Sequence, residues 1–169
     1  GISAIKQKIT EIGAVKIENG VITDRFSTFV NPTIPIPFSI ERLTGITDDM
    51  VADAPKIEEI LPKFLKFCEG AVTVAHNADF DMGFIKYNCQ QLGYPCDFTY
   101  VDTLGMARFL LPGLGKATLD KVAKAVGVPL NDHHRAVNDA ECTAGIFLKF
   151  LAMAEKREIH TLNDLNREG

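Results

Sequence analysis

Cysteine is scarce in this sequence and arranged without pattern. The chain has four cysteines in 169 residues, and none is spaced as Cys-x-x-Cys, the arrangement typical of zinc and redox motifs. Isolated cysteines of this kind are typical of reduced, partly buried residues in a cytoplasmic protein. We therefore expect neither a disulfide framework nor zinc or redox chemistry.

Long apolar runs and an excess of positive charge are also missing. No apolar run approaches the roughly 20 residues that cross a bilayer, and no segment resembles a secretion signal. The formal charge of −4 argues against a protein that coats nucleic acid through a strongly basic surface. It does not exclude an enzyme acting on nucleic acid whose metal ions supply positive charge locally. The remaining composition, 46% hydrophobic and 24% charged, is ordinary for one globular domain.

The hydrophobic pattern predicts a hairpin followed by alternating strands and helices. Asn19-Gly20 separates two apolar runs, which is the strongest short-range signal for a β-hairpin. Further strands are predicted at 71–75 and 98–102. Helices are predicted at 38–43, 56–67, 81–92, 103–111, 118–126 and 136–156. This order of elements predicts an α/β domain with a mixed sheet.

Two short polar clusters, His76 to Asp81 and His133 to Asp139, carry the chemical signal. Each places a carboxylate beside apolar residues that should be buried, where an unpaired negative charge is costly. Carboxylates in such positions usually hold a cation. Oxygen ligands with a nearby imidazole predict hydrolytic chemistry with Mg²⁺ or Mn²⁺. Such groups should lie at the carboxyl ends of strands, where Asp81 and Asp102 fall.

Within the first cluster each polar residue also has an ordinary structural explanation. Asp81 alone is explained as the N-cap of the helix that follows, with Phe80 buried beside it. Asp79 is the more ordinary surface or capping residue of the two aspartates. Asn77 either ties down the turn through its side chain or binds a ligand.

The second cluster adds a candidate base. A neutral imidazole at His134 is suited to take a proton from a metal-bound water beside two aspartates. His133 is the competing candidate, and spacing does not separate the two. Asp139 alone is also explained by the dipole of the last helix.

Two further segments have both a structural and a functional interpretation. Apolar residues surround Gly45 in the segment Leu43 to Thr47. This pattern suits either a turn closed by a buried hydrophobic side chain or an apolar wedge that lies against a flat ligand such as a nucleobase. Asp102-Thr103 is interpreted mainly as a helix cap, with direct metal binding as the weaker alternative.

Taken together, these segments resemble the DnaQ-like 3′–5′ exonucleases of the DEDDh group. The resemblance rests on a set of short motifs along nearly the whole chain: Ile12-Gly13-Ala14-Val15, Asn31-Pro32, Thr44-Gly45-Ile46-Thr47, the segment His76 to Asp81, Asp102-Thr103-Leu104, and the segment His134 to Ala140. The tail from Phe147 to Asn166 is similar to the end of the exonuclease insertion in PolC-type replicative DNA polymerases.

The resemblance implies a ribonuclease H-like fold, with a mixed five-stranded sheet flanked by helices. It implies two Mg²⁺ or Mn²⁺ ions held by four carboxylates, two of which are Asp81 and Asp139. His134 becomes the general base, and these three residues form the catalytic set. The residues implied to contact substrate are Leu43, Thr44, Gly45, Ile46, Asn77 and Phe80.

The implied partners are a single-stranded DNA 3′ end or primer terminus and polymerase domains of the same or an associated chain, with no membrane. The implied activity is proofreading. Two alternatives remain open at this point. One is an exoribonuclease that trims RNA ends, and the other is a non-catalytic scaffold or nucleic-acid-binding domain.

The chain departs from the family at its start. The family's first motif, Asp-x-Glu followed by Thr-Thr-Gly, would stand immediately before Gly1. We therefore expect an exonuclease domain over residues 1–157 that lacks its first, central strand, followed by a peripheral tail at 158–169. The chain as written, without two of its four metal ligands, is expected to be inactive.

Overall fold

A five-stranded mixed sheet organises the structure. The structure is a computed structural model that describes residues 2–8, 10–95, 97–132 and 135–157, with the backbone alone for 2–8. The strands are β1 (Ile2–Lys8), β2 (Glu11–Glu18), β3 (Val21–Phe29), β4 (Val72–Ala75) and β5 (Tyr100–Asp102). Their order in the sheet is β3-β2-β1-β4-β5. Strands β1, β2 and β3 pair antiparallel, while β4 is parallel to both β1 and β5.

The centre of the sheet differs from the sequence prediction. We expected the central strand to be missing, but β1 fills that position and pairs with β2 on one side and β4 on the other. The physical reason is that an empty centre would leave the backbone N–H and C=O groups of both neighbours without partners. The strand reads Ile-Ser-Ala-Ile-Lys-Gln-Lys and carries no acidic residue.

Seven helices lie within the described ranges. They are α1 (Phe38–Thr44), α2 (Asp48–Val51), α3 (Ile57–Cys68), α4 (Ala78–Leu92), α5 (Thr103–Leu110), α6 (Leu119–Val126) and α7 (Ala136–Lys156). The predicted helices are confirmed to within about three residues at their ends, and α7 matches its predicted bounds. The predicted hairpin is confirmed, with positive φ angles of 54° at Asn19 and 81° at Gly20 that suit a type I′ turn.

The helices form layers on both faces of the sheet. Alternate residues of a strand point to opposite faces, and β2 shows this directly. Ile12 and Ala14 pack with α3 and α4 in one core cluster. Val15 and Ile17 pack with Ala144 of α7 on the other face, where α5 and α6 also pack against α7. The mixed α/β prediction is therefore confirmed.

Two further predictions concern membranes and the tail. Within the part of the chain that is described, no helix combines the length and apolarity needed to cross a bilayer. The predicted peripheral tail at 158–169 lies outside the described residues.

Candidate functional site

The candidate site lies at one edge of the sheet. Because β1, β4 and β5 run parallel, their carboxyl ends share an edge, the usual place for ligands in such sheets. Helix α4 begins there, separated from the end of β4 by two residues. Helix α7 begins beside Gly13, whose partner across the ladder is Lys6 in the last part of β1. The first turns of α4 and α7 therefore lie at the same edge, on opposite faces of the sheet.

Each of these first turns carries a buried aspartate. Asp81 of α4 is 0% exposed and Asp139 of α7 is 2% exposed, which confirms the expected burial of both carboxylates. A helix N-terminus favours a nearby negative charge. Burial, assisted by the charge of Asp139, raises the pKa of the Cys142 thiol to about 11. That the two carboxylates share metal ions remains a prediction.

The donor chemistry at this edge suits a hard divalent cation. Both aspartates offer oxygen atoms, which Mg²⁺ and Mn²⁺ prefer. In the described ranges, no three His, Cys, Asp or Glu side chains are grouped closely enough to hold a metal ion. Asp81 and Asp139 are the candidate ligands at this edge because each carboxylate is buried in the first turn of a helix.

The candidate base cannot be compared with the structure. His133 and His134 both lie outside the described residues, so the choice between them remains a prediction. The backbone on either side is described. The Arg135 N–H donates to the Asp132 carbonyl oxygen at 3.1 Å, and the Asp139 N–H donates to the Arg135 carbonyl oxygen at 3.3 Å.

Strand β2 contributes a buried carboxylate that the sequence analysis missed. Glu11 is 3% exposed, and its Oε1 accepts the Ala136 N–H at 2.9 Å. Its Oε2 lies 3.6 Å from Nη1 of Arg135. Two signals were available in the sequence. They were an acidic residue at the head of an apolar strand, and a strand glycine at Gly13, which often marks close approach of another backbone.

Asp102 is confirmed as a helix cap, and it also connects two helices. It accepts the Leu104 N–H at 2.9 Å, which caps α5. It also accepts the N–H groups of Asn77 at 2.9 Å and Ala78 at 3.0 Å, at the start of α4. One carboxylate thus fixes the turn that precedes Asp81. Three such hydrogen bonds favour capping over the alternative of direct metal binding.

Asn77 and its neighbour His76 form the turn between β4 and α4. Asn77 is exposed and has left-handed backbone angles, φ 63° and ψ 58°, a conformation that asparagine tolerates better than most residues. His76 Nε2 lies 2.7 Å from the Ala117 carbonyl oxygen, and Nδ1 lies 2.9 Å from Thr103 Oγ1. A donating Nε2–H and an accepting Nδ1 satisfy both contacts, so His76 holds the turn against the start of α5 and the loop before α6.

Phe80 does not lie where the sequence suggested. We expected it to be buried beside Asp81, but it is 64% exposed. The reason is that α4 begins at Ala78 and directs Ala78, Asp81 and Met82 toward the core, which leaves Phe80 on the outer face. Asp79 is exposed, as expected for a surface residue.

The segment from Leu43 to Ile46, at the end of α1, has a buried part and an exposed part. Thr44 Oγ1 donates to the Ile40 carbonyl oxygen at 2.9 Å and accepts the Ile46 N–H at 3.2 Å. Ile46 is fully buried. Leu43, in contrast, is 72% exposed, and Gly45 is exposed in the left-handed conformation that ends α1. The side chains of Thr44 and Ile46 therefore support the loop, and Leu43 and Gly45 are the residues open to a ligand.

The cysteines lie as expected for reduced residues. Cys68, Cys89 and Cys142 are buried and form no disulfide within the described ranges, while Cys96 lies outside the described residues. Burial raises the pKa of the Cys68 thiol to about 12, so this thiol stays protonated and is a poor metal ligand or nucleophile.

Comparison with known proteins gives this site a family. Residues 1–147 match the RNase_T family, described as exonuclease. The chain is 51% identical over 166 residues to the DNA polymerase III PolC-type of Caldanaerobacter subterraneus subsp. tengcongensis, covering 98% of the chain. It is 48% identical over 169 residues to that of Clostridium perfringens, covering 99%. The chain spans about 12% of the length of these two relatives.

A solved structure agrees in fold. Exonuclease X in complex with 5′ overhanging duplex DNA superposes with a TM-score of 0.78 at 25% identity, covering 99% of this chain and 98% of that one. The chain belongs to the DEDDh 3′–5′ exonuclease family. Within that family it is similar to the exonuclease region of PolC-type DNA polymerase III. The resemblance drawn from the sequence motifs is confirmed.

Proposed function

We propose that this chain is a proofreading exonuclease domain, extending over residues 1–157, of a cytoplasmic PolC-type DNA polymerase III. In the full-length protein this domain removes nucleotides from DNA 3′ ends by metal-dependent hydrolysis. The observation that carries this proposal is the pair of buried aspartates, Asp81 and Asp139, in the first turns of two helices that begin at one edge of the sheet. Similarity to the two PolC-type relatives supports the assignment to a polymerase.

The two aspartates are the proposed metal ligands. Divalent Mg²⁺ or Mn²⁺ ions, when bound, supply positive charge to the scissile phosphate and make water more acidic. Asp81 and Asp139 hold their carboxylates in fixed positions because each is buried in a helical turn. His134, which directly precedes Arg135 in the sequence, accepts the proton from the attacking water.

Exposed apolar residues are the proposed contacts for the terminal nucleotide. Leu43 and Phe80 both expose large apolar side chains, and aromatic or aliphatic surfaces bind nucleobases without sequence preference. Gly45 allows close approach of a ligand because it lacks a side chain. Asn77, exposed at the turn before α4, is the proposed polar contact. Thr44 and Ile46 act by supporting the loop.

The proposal is tested by comparing aspartate variants in the full-length protein. Asp81→Asn and Asp139→Asn should each abolish most of the release of nucleotides from a 3′-labelled single-stranded DNA. Asp79→Asn, two residues away and exposed, makes the same change of charge and should remain close to wild type. Equal rates for all three variants would refute the assigned site.

The same assay separates the alternatives. Faster trimming of an RNA oligonucleotide than of DNA of the same sequence would indicate an exoribonuclease. Binding of DNA without any hydrolysis, unaffected by Asp81→Asn, would indicate a non-catalytic domain. The DNA preference is favoured because the similar relatives are DNA polymerases.

A further inference from the structure

The N-terminus of α7 packs against strand β2 at two nearby positions, Glu11 and Gly13. Glu11 accepts the Ala136 N–H, one of the N–H groups at a helix start that lack a partner within the helix. Gly13, on the same face of the strand, lies directly beneath Ala136 and Val137. A Cβ atom at Gly13 would stand 2.5 Å from the carbonyl carbon of Ala136, so only glycine permits this contact.

An ion pair between Glu11 and Arg135 also holds the start of α7. Glu11 Oε2 lies 3.6 Å from Arg135 Nη1, and this nitrogen is buried and makes no hydrogen bond. The guanidinium carbon of Arg135 also lies 5.3 Å from the centre of the Phe29 ring on β3. Because a buried charge needs a compensating partner, the buried Glu11 carboxylate depends on the partly exposed Arg135 guanidinium.

The fastened turn carries the proposed metal ligand. Asp139 lies three residues after Ala136, and its N–H donates to the carbonyl oxygen of Arg135. Glu11 is itself buried at the foot of this turn, where it cannot contact substrate. Its influence on chemistry must therefore pass through the position of the turn.

We propose that Glu11 is a positioning residue, which holds the first turn of α7 against β2 and so sets where the Asp139 carboxylate stands. This inference deepens the proposed function and rests on it for its catalytic consequence. Outer residues that orient metal ligands typically contribute 10–100-fold to activity or metal affinity. Glu11 would act in this way through a backbone N–H and an arginine.

The test compares three variants in the full-length protein. Glu11→Ala removes both contacts, whereas Glu11→Gln keeps an acceptor for the Ala136 N–H but loses the charge facing Arg135. Glu18→Gln is the matched control, since Glu18 lies on the same strand and is exposed. Two measurements are made: kcat and KM on single-stranded DNA with saturating Mg²⁺, and hydrogen–deuterium exchange of the peptide covering 135–140.

Glu11→Ala should lower kcat by about 10–100-fold, with KM little changed and faster exchange at 135–140. Glu11→Gln should be intermediate in both measurements, and Glu18→Gln should match wild type. Wild-type kcat and exchange in Glu11→Ala would overturn the proposal. A rise in KM with unchanged kcat would also overturn it, because that result indicates contact with substrate.

Misfolding of a variant and failure of the proposed function give different results. Should Glu11→Ala fail to fold, Glu11→Gln decides the question. Faster exchange confined to 135–140 supports the proposal, and faster exchange spread equally over α4 and the sheet overturns it. Should wild type show no nuclease activity, the proposed function fails, while the exchange data still report whether Glu11 holds the turn.

Discussion

At the residue scale, two aspartates, 0% and 2% exposed, stand out against a largely apolar core. Sequence reasoning found both because a carboxylate among apolar residues is a local signal. It missed Glu11, although local signals were available for it, and no local pattern identifies its partner Ala136, which is 125 residues away. It also misjudged the exposure of Phe80, because the face of α4 on which Phe80 lies depends on whether the helix begins at Ala78 or at Asp81.

A residue-scale prediction concerns the two adjacent histidines. His134→Ala in the full-length protein should slow hydrolysis by roughly 10²–10⁴-fold, the usual effect of losing a general base, with a smaller effect on DNA binding. His133→Ala should have less effect on the rate. Single-turnover rates and DNA affinities of both variants provide the measurement. A larger loss in His133→Ala would assign the base to the other histidine.

At the element scale, local signals predicted most of the structure. Asn19-Gly20 determined the hairpin, and the apolar stripes of α3, α4 and α7 predicted those helices. The central strand was not predictable in this way, since β1 owes its place to neighbours on β2 and β4 that need hydrogen-bond partners. The cap at Asp102 was predicted for α5. Its contacts with the start of α4 were not, because they depend on β4 and β5 lying side by side.

An element-scale prediction follows from those contacts. Asp102→Ala removes the acceptor of three backbone N–H groups at the starts of α4 and α5. At about 1 kcal/mol for each hydrogen bond, the loss of unfolding free energy should be about 2–3 kcal/mol. Urea denaturation followed by circular dichroism measures it. Asp97→Ala, at an exposed position in the loop before β5, is the control, and an equal effect in both variants would contradict the capping role.

At the scale of the whole molecule, the proposed function depends on bringing two helix starts to one edge of the sheet. Each aspartate belongs to a helix on a different face, and the sheet between them sets their relative position. An ion that binds both carboxylates would therefore link the two layers. Ligands that bind only the folded state raise its stability by mass action.

A whole-molecule prediction is that Mg²⁺ supports both activity and stability. Hydrolysis should stop in EDTA and return when excess Mg²⁺ is added. Mg²⁺ at about 100 times its Kd should stabilise the folded domain by about 2.7 kcal/mol. This gain should be absent in the double variant Asp81→Asn, Asp139→Asn. Thermal denaturation of both proteins with and without Mg²⁺ is the measurement, and full nuclease activity in EDTA would exclude the metal-dependent mechanism.

The contact between Glu11 and Ala136 also bears on the order of events during synthesis. Domains generally begin to fold as the chain emerges from the ribosome, but a contact that spans 125 residues cannot form until both ends are available. Glu11 in β2 therefore gains its partners only after α7 has been synthesised. The edge at which α4 and α7 begin is completed among the last events of folding, after nearly all of residues 1–157 have been translated.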